Sequence, residues 1–257
     1  MRLDLFLKEG GYLKSRGRAK EYIESGKVTV NGKTVTKCAY DVSDSDRIEV
    51  SVNEAEYVGR GAYKLEGALD TFGISVKGKK CIDVGASTGG FTEVLLRRGA
   101  VSVTAVDAGH GQLHPDLAND PRVTNVEGMN ARYMTADDVG DGYDLAVMDV
   151  SFISQTYIFP SLLKLLSDDA VLITLVKPQF ELDRRAVGNG VVKKSEHRYE
   201  ALCRVYDGLL SYGYRVSDVI RSSILGGDGN VEYLFMIEKG EENKSVRTRL
   251  LPLSKEK

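Results

Sequence analysis

The chain has 257 residues, 42% of them apolar and 28% charged, an ordinary globular composition that excludes disordered and fibrous classes. Its longest apolar run, Tyr233–Ile237, is far short of the ~20 residues of a membrane-spanning helix, and the charged stretch MRLDLFLKEGGYLK has no apolar centre, so no secretory signal is expected. Net charge is −2, yet nine Lys/Arg against four Asp/Glu give residues 1–37 a charge of +5, residues 38–60 carry −4 and the remainder −3, an asymmetry that marks a local binding surface.

In chain order, Leu3, Phe6 and Leu7 mark one face of a short helix that stops at Gly10-Gly11. Ser15 is a good N-cap for a second helix with Ala19, Tyr22 and Ile23 on one face, ended by Gly26. Val28 and Val30 alternate into Asn31-Gly32, a strong hairpin signal. A later strand over 46–50 completes a small sheet. Lys14, Arg16, Arg18 and Lys20 cluster at the start of the second helix, and Lys27 and Lys33 flank the hairpin. The RLD triplet, the stretch from Ser15 to Gly32 and the V…D.I.V pattern from Val42 to Val50 together resemble the S-four RNA-binding fold. The resemblance implies a small α+β domain over residues 1–56 that contacts RNA through Lys14, Arg16, Arg18, Lys20 and Lys33. Such contacts read phosphates and shape more than sequence.

After a short linker, residues 57–61, a helix is predicted from Ala62, with Leu65, Leu69 and Phe72 on its apolar face. Lys64 falls in its first turn, where a cation opposes the helix dipole by roughly 0.3–1 kcal/mol. Solubility does not require it, since Glu66 and Asp70 already supply charge.

Beyond residue 80, the strand-like runs CIDVGA, VSVTAVDA, RVTNVEG, YDLAVMDVS and AVLITLVKP alternate with the helical patterns GFTEVLLRRG, TYIFPSLLKLLS and HRYEALCRVYDGLLSYG. The alternation predicts an α/β fold with a mostly parallel, doubly wound sheet. Two strands without an intervening helix, YRVSDVIRSSI and GNVEYLFMIEK, add an antiparallel hairpin at its edge. Cys38, Cys81 and Cys203 are scattered and odd in number, so reduced thiols and a cytoplasmic setting are expected, and no His or Cys spacing suggests a metal site.

The first strand of this region runs into DVGASTGGF, Asp83–Phe91. Glycines there let backbone approach a ligand at the carboxyl end of the strand. Asp107 ends the next strand, placed to accept hydrogen bonds from ribose hydroxyls. A dinucleotide-binding fold would carry an acid there too. The D-x-G-x-x-x-G-G-F form is similar to the S-adenosylmethionine loop of FtsJ-type ribose methyltransferases. That resemblance implies a Rossmann-like class I methyltransferase with a seven-stranded sheet, its cofactor held by Asp83, Gly85, Ala86, Ser87, Thr88, Gly89, Gly90, Phe91 and Asp107.

The fourth strand ends in Asp149 without the Pro-Pro-aromatic run of adenine amino-methyltransferases, and no cysteine lies near it for a cytosine C5 mechanism. The fifth strand ends in Lys177, and an antiparallel last strand would begin at Glu232 on the same sheet edge. With Lys64 these residues are similar to the Lys-Asp-Lys-Glu set of ribose 2′-O-methyltransferases. An amine of that set would take or orient the hydroxyl proton. Lys177 is the expected base or orienter, with Lys64 and Asp149 beside it and Glu232 positioning from behind.

The motifs GRGAYKL, DVGASTGGFTEVLL, VDAGHGQL, NDPRV, DVSFIS, LVKPQFE and GNVEY, joined to the S-four head, are similar to the TlyA family over residues 1–239. The resemblance implies 2′-O-methylation of cytidine in ribosomal RNA, a catalytic domain over 62–240, Asn130 near the adenine, no metal and no membrane partner. Asn130 also reads as a turn residue. Gly59 stands where that family commonly has a serine, and residues 241–257 follow no family pattern. Two other functions remain to be weighed: an RNA-binding assembly factor without turnover, and the lytic activity suggested by the haemolysin label many such proteins carry.

Overall fold

The computed structural model describes residues 1–13, 16–51, 57–183 and 187–256. The chain divides into two compact units, Met1–Glu56 and Tyr57–Lys257.

In the first unit, helices α1 (Leu3–Glu9) and α2 (Arg16–Glu24) pack on strands β1 (Val28–Val30), β2 (Lys33–Thr34) and β3 (Ile48–Val50), which form an antiparallel sheet of order β2-β1-β3. Leu3, Leu7, Ala19, Tyr22, Ile23, Val28 and Val30 are buried together, as their periodicity predicts, with Phe6 partly buried at the edge. Asn31 and Gly32 both take positive φ, +52° and +78°, the hairpin geometry whose twist suits the flanking strands. The predicted cap Ser15 lies outside the described residues.

The second unit opens with α3 (Gly61–Phe72). The expected linker is packed here: Tyr57 is buried and its hydroxyl donates to Glu66 Oε1 at 2.6 Å, and Val58 N–H donates to Glu93 Oε2 at 2.6 Å. Seven strands follow: β4 (Lys80–Val84), β5 (Ser102–Val106), β6 (Val123–Val126), β7 (Tyr143–Met148), β8 (Leu166–Val176), β9 (Tyr214–Arg221) and β10 (Tyr233–Lys239). Their order is β6-β5-β4-β7-β8-β10-β9, with β10 antiparallel to both neighbours and the other pairs parallel. Intervening helices are α4 (Gly90–Arg97), α5 (Pro115–Ala118), α6 (Ala136–Val139), α7 (Phe159–Leu162), α8 (Pro178–Glu181) and α9 (Ser195–Leu210). The central strands read as continuous apolar runs because each sheet face lies under a separate buried cluster.

Two expectations change. The segment 156–167 is not one helix: it breaks into the four-residue α7 flanked by 3₁₀ turns at Gln155–Tyr157 and Leu163–Leu165, and strand β8 already begins at Leu166. Pro160 near the start of α7 supplies no backbone donor to a preceding turn, and Ser154 Oγ caps the new start at Thr156 N. The unassigned tail forms α10 (Lys244–Lys255), which buries Val246 and Leu250 in the core; Arg198 Nε of α9 donates to its Ser254 carbonyl at 2.8 Å.

Candidate active site

Strand β4 lies where the strand order reverses, between β5 and β7, and its carboxyl end is the crevice in which open α/β sheets bind ligands. The chain leaves it through Gly85, at φ +85°, where a Cβ would collide with the Asp149 carbonyl. Gly89, at φ +97°, has no room for one against Leu117. Gly85 is required by backbone sign and by space, Gly89 by backbone sign. Gly90 then starts α4, packed against the 59–62 segment.

Two cavities meet at this turn. One of about 540 Å³ is lined by Gly85, Ser87, Asp107, Asn130, Asp149 and Phe152, among others. The second, about 210 Å³, is lined by Gly85, Ala86, Ser87, Thr88, Gly90 and Phe91 together with Gly61, Asp149, Ser151 and Lys177. Asp107 Oδ2 accepts from Ser87 N–H at 2.8 Å and Oδ1 from Gly109 N–H at 2.7 Å, and each oxygen retains a second lone pair. Asn130 is exposed at the rim of the larger cavity and its Oδ1 caps the turn at Arg132 N, the turn role expected of it.

Asp83 differs from its expected place as a direct cofactor ligand. It is fully buried beneath the turn and, like Gly89, lines neither cavity. Its Oδ2 accepts from Thr92 Oγ1 at 2.7 Å, while Oδ1 has no hydrogen-bond partner among the described residues. Burial pushes this carboxyl up to about 7, against the Thr92 bond; the negative charges of Asp149 and Asp107 add to the rise.

The four lysines and acids assemble as two ion pairs. Lys177, which follows β8, places Nζ 2.5 Å from Asp149 Oδ1 and donates to Ser151 Oγ at 3.0 Å. Asp149 Oδ1 lies off hydrogen-bond alignment despite this short approach, so the contact is mainly electrostatic. Lys64 Nζ donates to Glu232 Oε2 at 2.5 Å, and the two residues are only 8% and 3% exposed. Burial at that level requires a partner, and Glu232 offsets the dipole cost of Lys64. Glu232 lies one residue before β10, and Tyr233 pairs with Val176, so Glu232 and Lys177 come to the same sheet edge. The start of α3 reaches this edge too, since a Cβ at Gly61 would stand 3.5 Å from Asp149 Oδ2. Asp149 and Lys177 line the smaller cavity, whereas Lys64 and Glu232 line neither.

Residues missed from sequence stand beside them. Ser151 and Phe152 belong to DVSFIS, in which only Asp149 stands out from the sequence. Phe152 is 91% exposed, holds φ +64° and packs on Phe180 at 4.9 Å between ring centroids. An exposed aromatic in a strained conformation at a cavity rim is a functional signal. Nearby in the chain, the Arg132 guanidinium lies over the rings of Tyr133 and Tyr157, at 5.5 and 4.9 Å.

In the N-terminal unit, Arg16 pairs with Asp4 at 2.8 Å, Lys20 with Glu24 at 3.7 Å, Arg18 lies over the Tyr22 ring, and Lys33 is exposed. Lys14 lies outside the described residues. Arg2, Arg16, Lys20 and Lys37 line an open hollow of about 710 Å³ with Asp4 and Glu24. Hydrogen bonding from Arg2 and then Arg16, against burial, holds the Asp4 carboxyl down at about 2. Among the described residues, no cluster of His, Cys, Asp or Glu could hold a metal ion and no helix is long and apolar enough to cross a membrane.

Comparison with known proteins agrees with this geometry. Residues 57–239 match the family model of FtsJ-like methyltransferases and residues 1–48 that of the S4 domain. The chain is 44% identical over 238 residues to the 16S/23S rRNA (cytidine-2′-O)-methyltransferase TlyA of Mycobacterium tuberculosis, covering 92% of this chain and 89% of that protein. It is 42% identical to Hemolysin A of Brachyspira hyodysenteriae, over 91% of this chain and 98% of that one. A solved Streptococcus thermophilus structure described as a hemolysin superposes with a TM-score of 0.79 at 38% identity, covering 99% of this chain and 94% of the other. With a glycine turn at the sheet's switch point, two lysine–carboxylate pairs beside it and an S4 domain ahead of it, the chain belongs to the FtsJ-like methyltransferase family, in its TlyA branch.

Proposed function

We propose that this protein transfers a methyl group from S-adenosylmethionine to the ribose 2′-hydroxyl of a cytidine in ribosomal RNA, in the cytoplasm. The observation that carries the reading is the pair of lysine–carboxylate contacts gathered at the sheet edge beside the glycine turn that follows β4. A binding module has no use for a buried Lys64–Glu232 pair beside a second, cavity-lining Lys177–Asp149 pair.

The crevice fits the cofactor. The space a Cβ would fill at Gly85 is closed by the Asp149 backbone, leaving a glycine turn along which the amino-acid portion would lie. Asp107 would hold ribose hydroxyls, and the cavity beside Asn130 would hold the base. S-adenosylmethionine supplies an electrophilic methyl group on a positively charged sulfur. The remaining work belongs to the chain. Lys177, fixed by Asp149 and Ser151, lines the smaller cavity and takes or orients the hydroxyl proton as the oxygen attacks. Lys64, fixed by Glu232 and lining neither cavity, adds positive charge to the site from behind as charge develops on the oxygen. Phe152 presents an aromatic face on which an unstacked base can rest. The S4 unit supplies phosphate contacts through Arg16, Arg18, Lys20 and Lys33, with Lys14 the remaining candidate.

The decisive comparison is Lys177→Ala against Lys177→Arg in single-turnover methylation of ribosomal RNA, with cofactor binding measured on the same preparations. Removing a proton-transfer group costs about 10²–10⁴-fold. Arginine keeps the charge but does not give up its proton in a protein, so both variants are expected to fall into that range while binding cofactor normally. Arginine activity within a few-fold of the parent would move the base assignment to Lys64. Mass spectrometry of nuclease fragments from both ribosomal RNAs, with and without the protein, identifies the nucleotide; an absent mark refutes the substrate.

A further inference from the structure

Glu181 is a buried carboxylate that the proposed chemistry does not use. It closes the short helix α8 that begins directly after Lys177, and it is 1% exposed. Its Oε2 accepts from Ser154 Oγ at 2.5 Å and its Oε1 from Gln155 N–H at 3.0 Å. Gln155, also 1% exposed, is itself tied to β8: its Nε2 donates to the Leu175 carbonyl at 2.6 Å, and its Oε1 accepts from Thr174 Oγ1 at 2.8 Å. The turn that leaves β7 with Asp149, Ser151 and Phe152 is therefore pinned at its far end twice. One clamp reaches the helix after Lys177, the other the strand before it.

Burying a carboxylate is expensive, and burial does push this one upward, against the bonds from Gln155 and Ser154. An apolar side chain would fill the space at less cost. What the acid supplies is a double acceptor that joins two chain segments at fixed distance. Those segments carry the two halves of the Asp149–Lys177 contact and the Ser151 hydroxyl that Lys177 also engages. Without the clamp, the Ser151–Phe152 turn, with Phe152 in its left-handed conformation, has less to over-determine it.

We infer that Glu181 is a positioning residue: through Ser154 and Gln155 it sets the geometry of Asp149 and Ser151 around the Lys177 amine. The inference rests on the reading that Lys177 faces the reacting hydroxyl. Outer groups that orient reacting ones typically account for about 10–100-fold.

The test uses the full-length protein and three variants, read by single-turnover methylation of ribosomal RNA, RNA and cofactor affinity, and thermal unfolding. Glu181→Ala is expected to slow methyl transfer by about 10–100-fold while RNA and cofactor affinities stay within a few-fold. Glu181→Gln can still accept from Gln155 N–H with its oxygen and donate to Ser154 Oγ with its nitrogen, so it should restore the rate to within a few-fold of the parent. Ser154→Ala removes one of the two bonds with little change in volume and should give an intermediate loss; it carries the test if Glu181→Ala does not fold. Parental rates in Ser154→Ala and Glu181→Ala would overturn the inference. So would cofactor affinity and unfolding temperature falling in step with the rate, or a glutamine variant no better than alanine. The underlying reading fails separately, and visibly, if Lys177→Ala still transfers methyl groups.

Discussion

The candidate RNA face of the first unit and the candidate active site of the second use the same ion-pair chemistry at opposite depths. In the N-terminal unit the cations stand at the surface: the Lys20 and Glu24 side chains are 63% and 56% exposed, and Arg16 is 54% exposed although its partner Asp4 is buried. In the second unit Lys64 and Glu232 side chains are 10% and 3% exposed, Lys177 and Asp149 12% and 20%. Surface cations stay hydrated, mobile and available to phosphates, and their pairs contribute little to stability. Buried cations are held in one geometry and are costly to leave alone. On the proposed function, depth separates a surface suited to collecting RNA from a site suited to acting on one of its atoms.

The largest effect expected from this contrast is on stability. Lys64→Ala leaves Glu232 buried without its cation and should destabilise the second unit by about 3–5 kcal/mol, read as a lowered denaturation midpoint. Lys20→Ala should leave the midpoint unchanged. Equal shifts in the two variants would erase the distinction drawn between the pairs. A smaller effect is expected from removing residues 1–56. The remaining chain keeps its own buried core and should fold and bind cofactor, but without the clustered Lys/Arg of residues 1–37, whose charge of +5 is balanced in the removed segment by the acids of residues 38–56, its methylation of ribosomal RNA should drop by roughly 10²-fold and its salt dependence should flatten. Parental turnover by the shortened chain would place the RNA-binding surface in the second unit.

How much of this could be read beforehand follows the same division between backbone and side-chain depth. The alternation of strands and helices, the hairpin at Asn31-Gly32 and the strand-end positions of Asp149 and Lys177 are properties of local pattern and of parallel-sheet topology, and both are legible in residue order. The partner of each lysine is not. Glu232 reaches the edge beside Lys177 because β10 inserts between β8 and β9, yet its carboxylate turns to Lys64. Asp83 opens the glycine motif and so reads as a ligand; its actual place depends on Thr92, nine residues on, whose Oγ1 donates to it below the turn. The stretch 156–167 reads as one helix because apolar spacing alone does not separate a long helix from short turns that feed a strand. Glu181 gave no signal at all, since a glutamate after a proline-led turn reads as solvated.

The two units also carry two buried carboxylates with opposite pH behaviour, and these sharpen the contrast through the pH dependence of stability. Asp4 sits at about 2 in the folded chain because Arg2 and Arg16 donate to it, below its ordinary 3.8. Its contribution is complete above the unfolded value and is lost only as pH falls toward 2. Asp83 sits at about 7, above 3.8, because burial penalises its charge. Its folded form holds a proton that the unfolded chain releases, so its contribution is complete below about 4, shrinks as pH rises and is gone above about 7. Inside that window the parent loses up to about 1.4 kcal/mol per pH unit from this one group, while Asp4 contributes no slope there. Asp83→Asn keeps the shape and can still accept from Thr92, and it does not titrate. The stability of Asp83→Asn relative to the parent should therefore climb steadily from pH 5 to pH 7 and level off above, when second-unit unfolding is followed at each pH. A constant difference between variant and parent across that range would mean that Asp83 is already ionised when buried, with its second oxygen satisfied by a donor such as bound water.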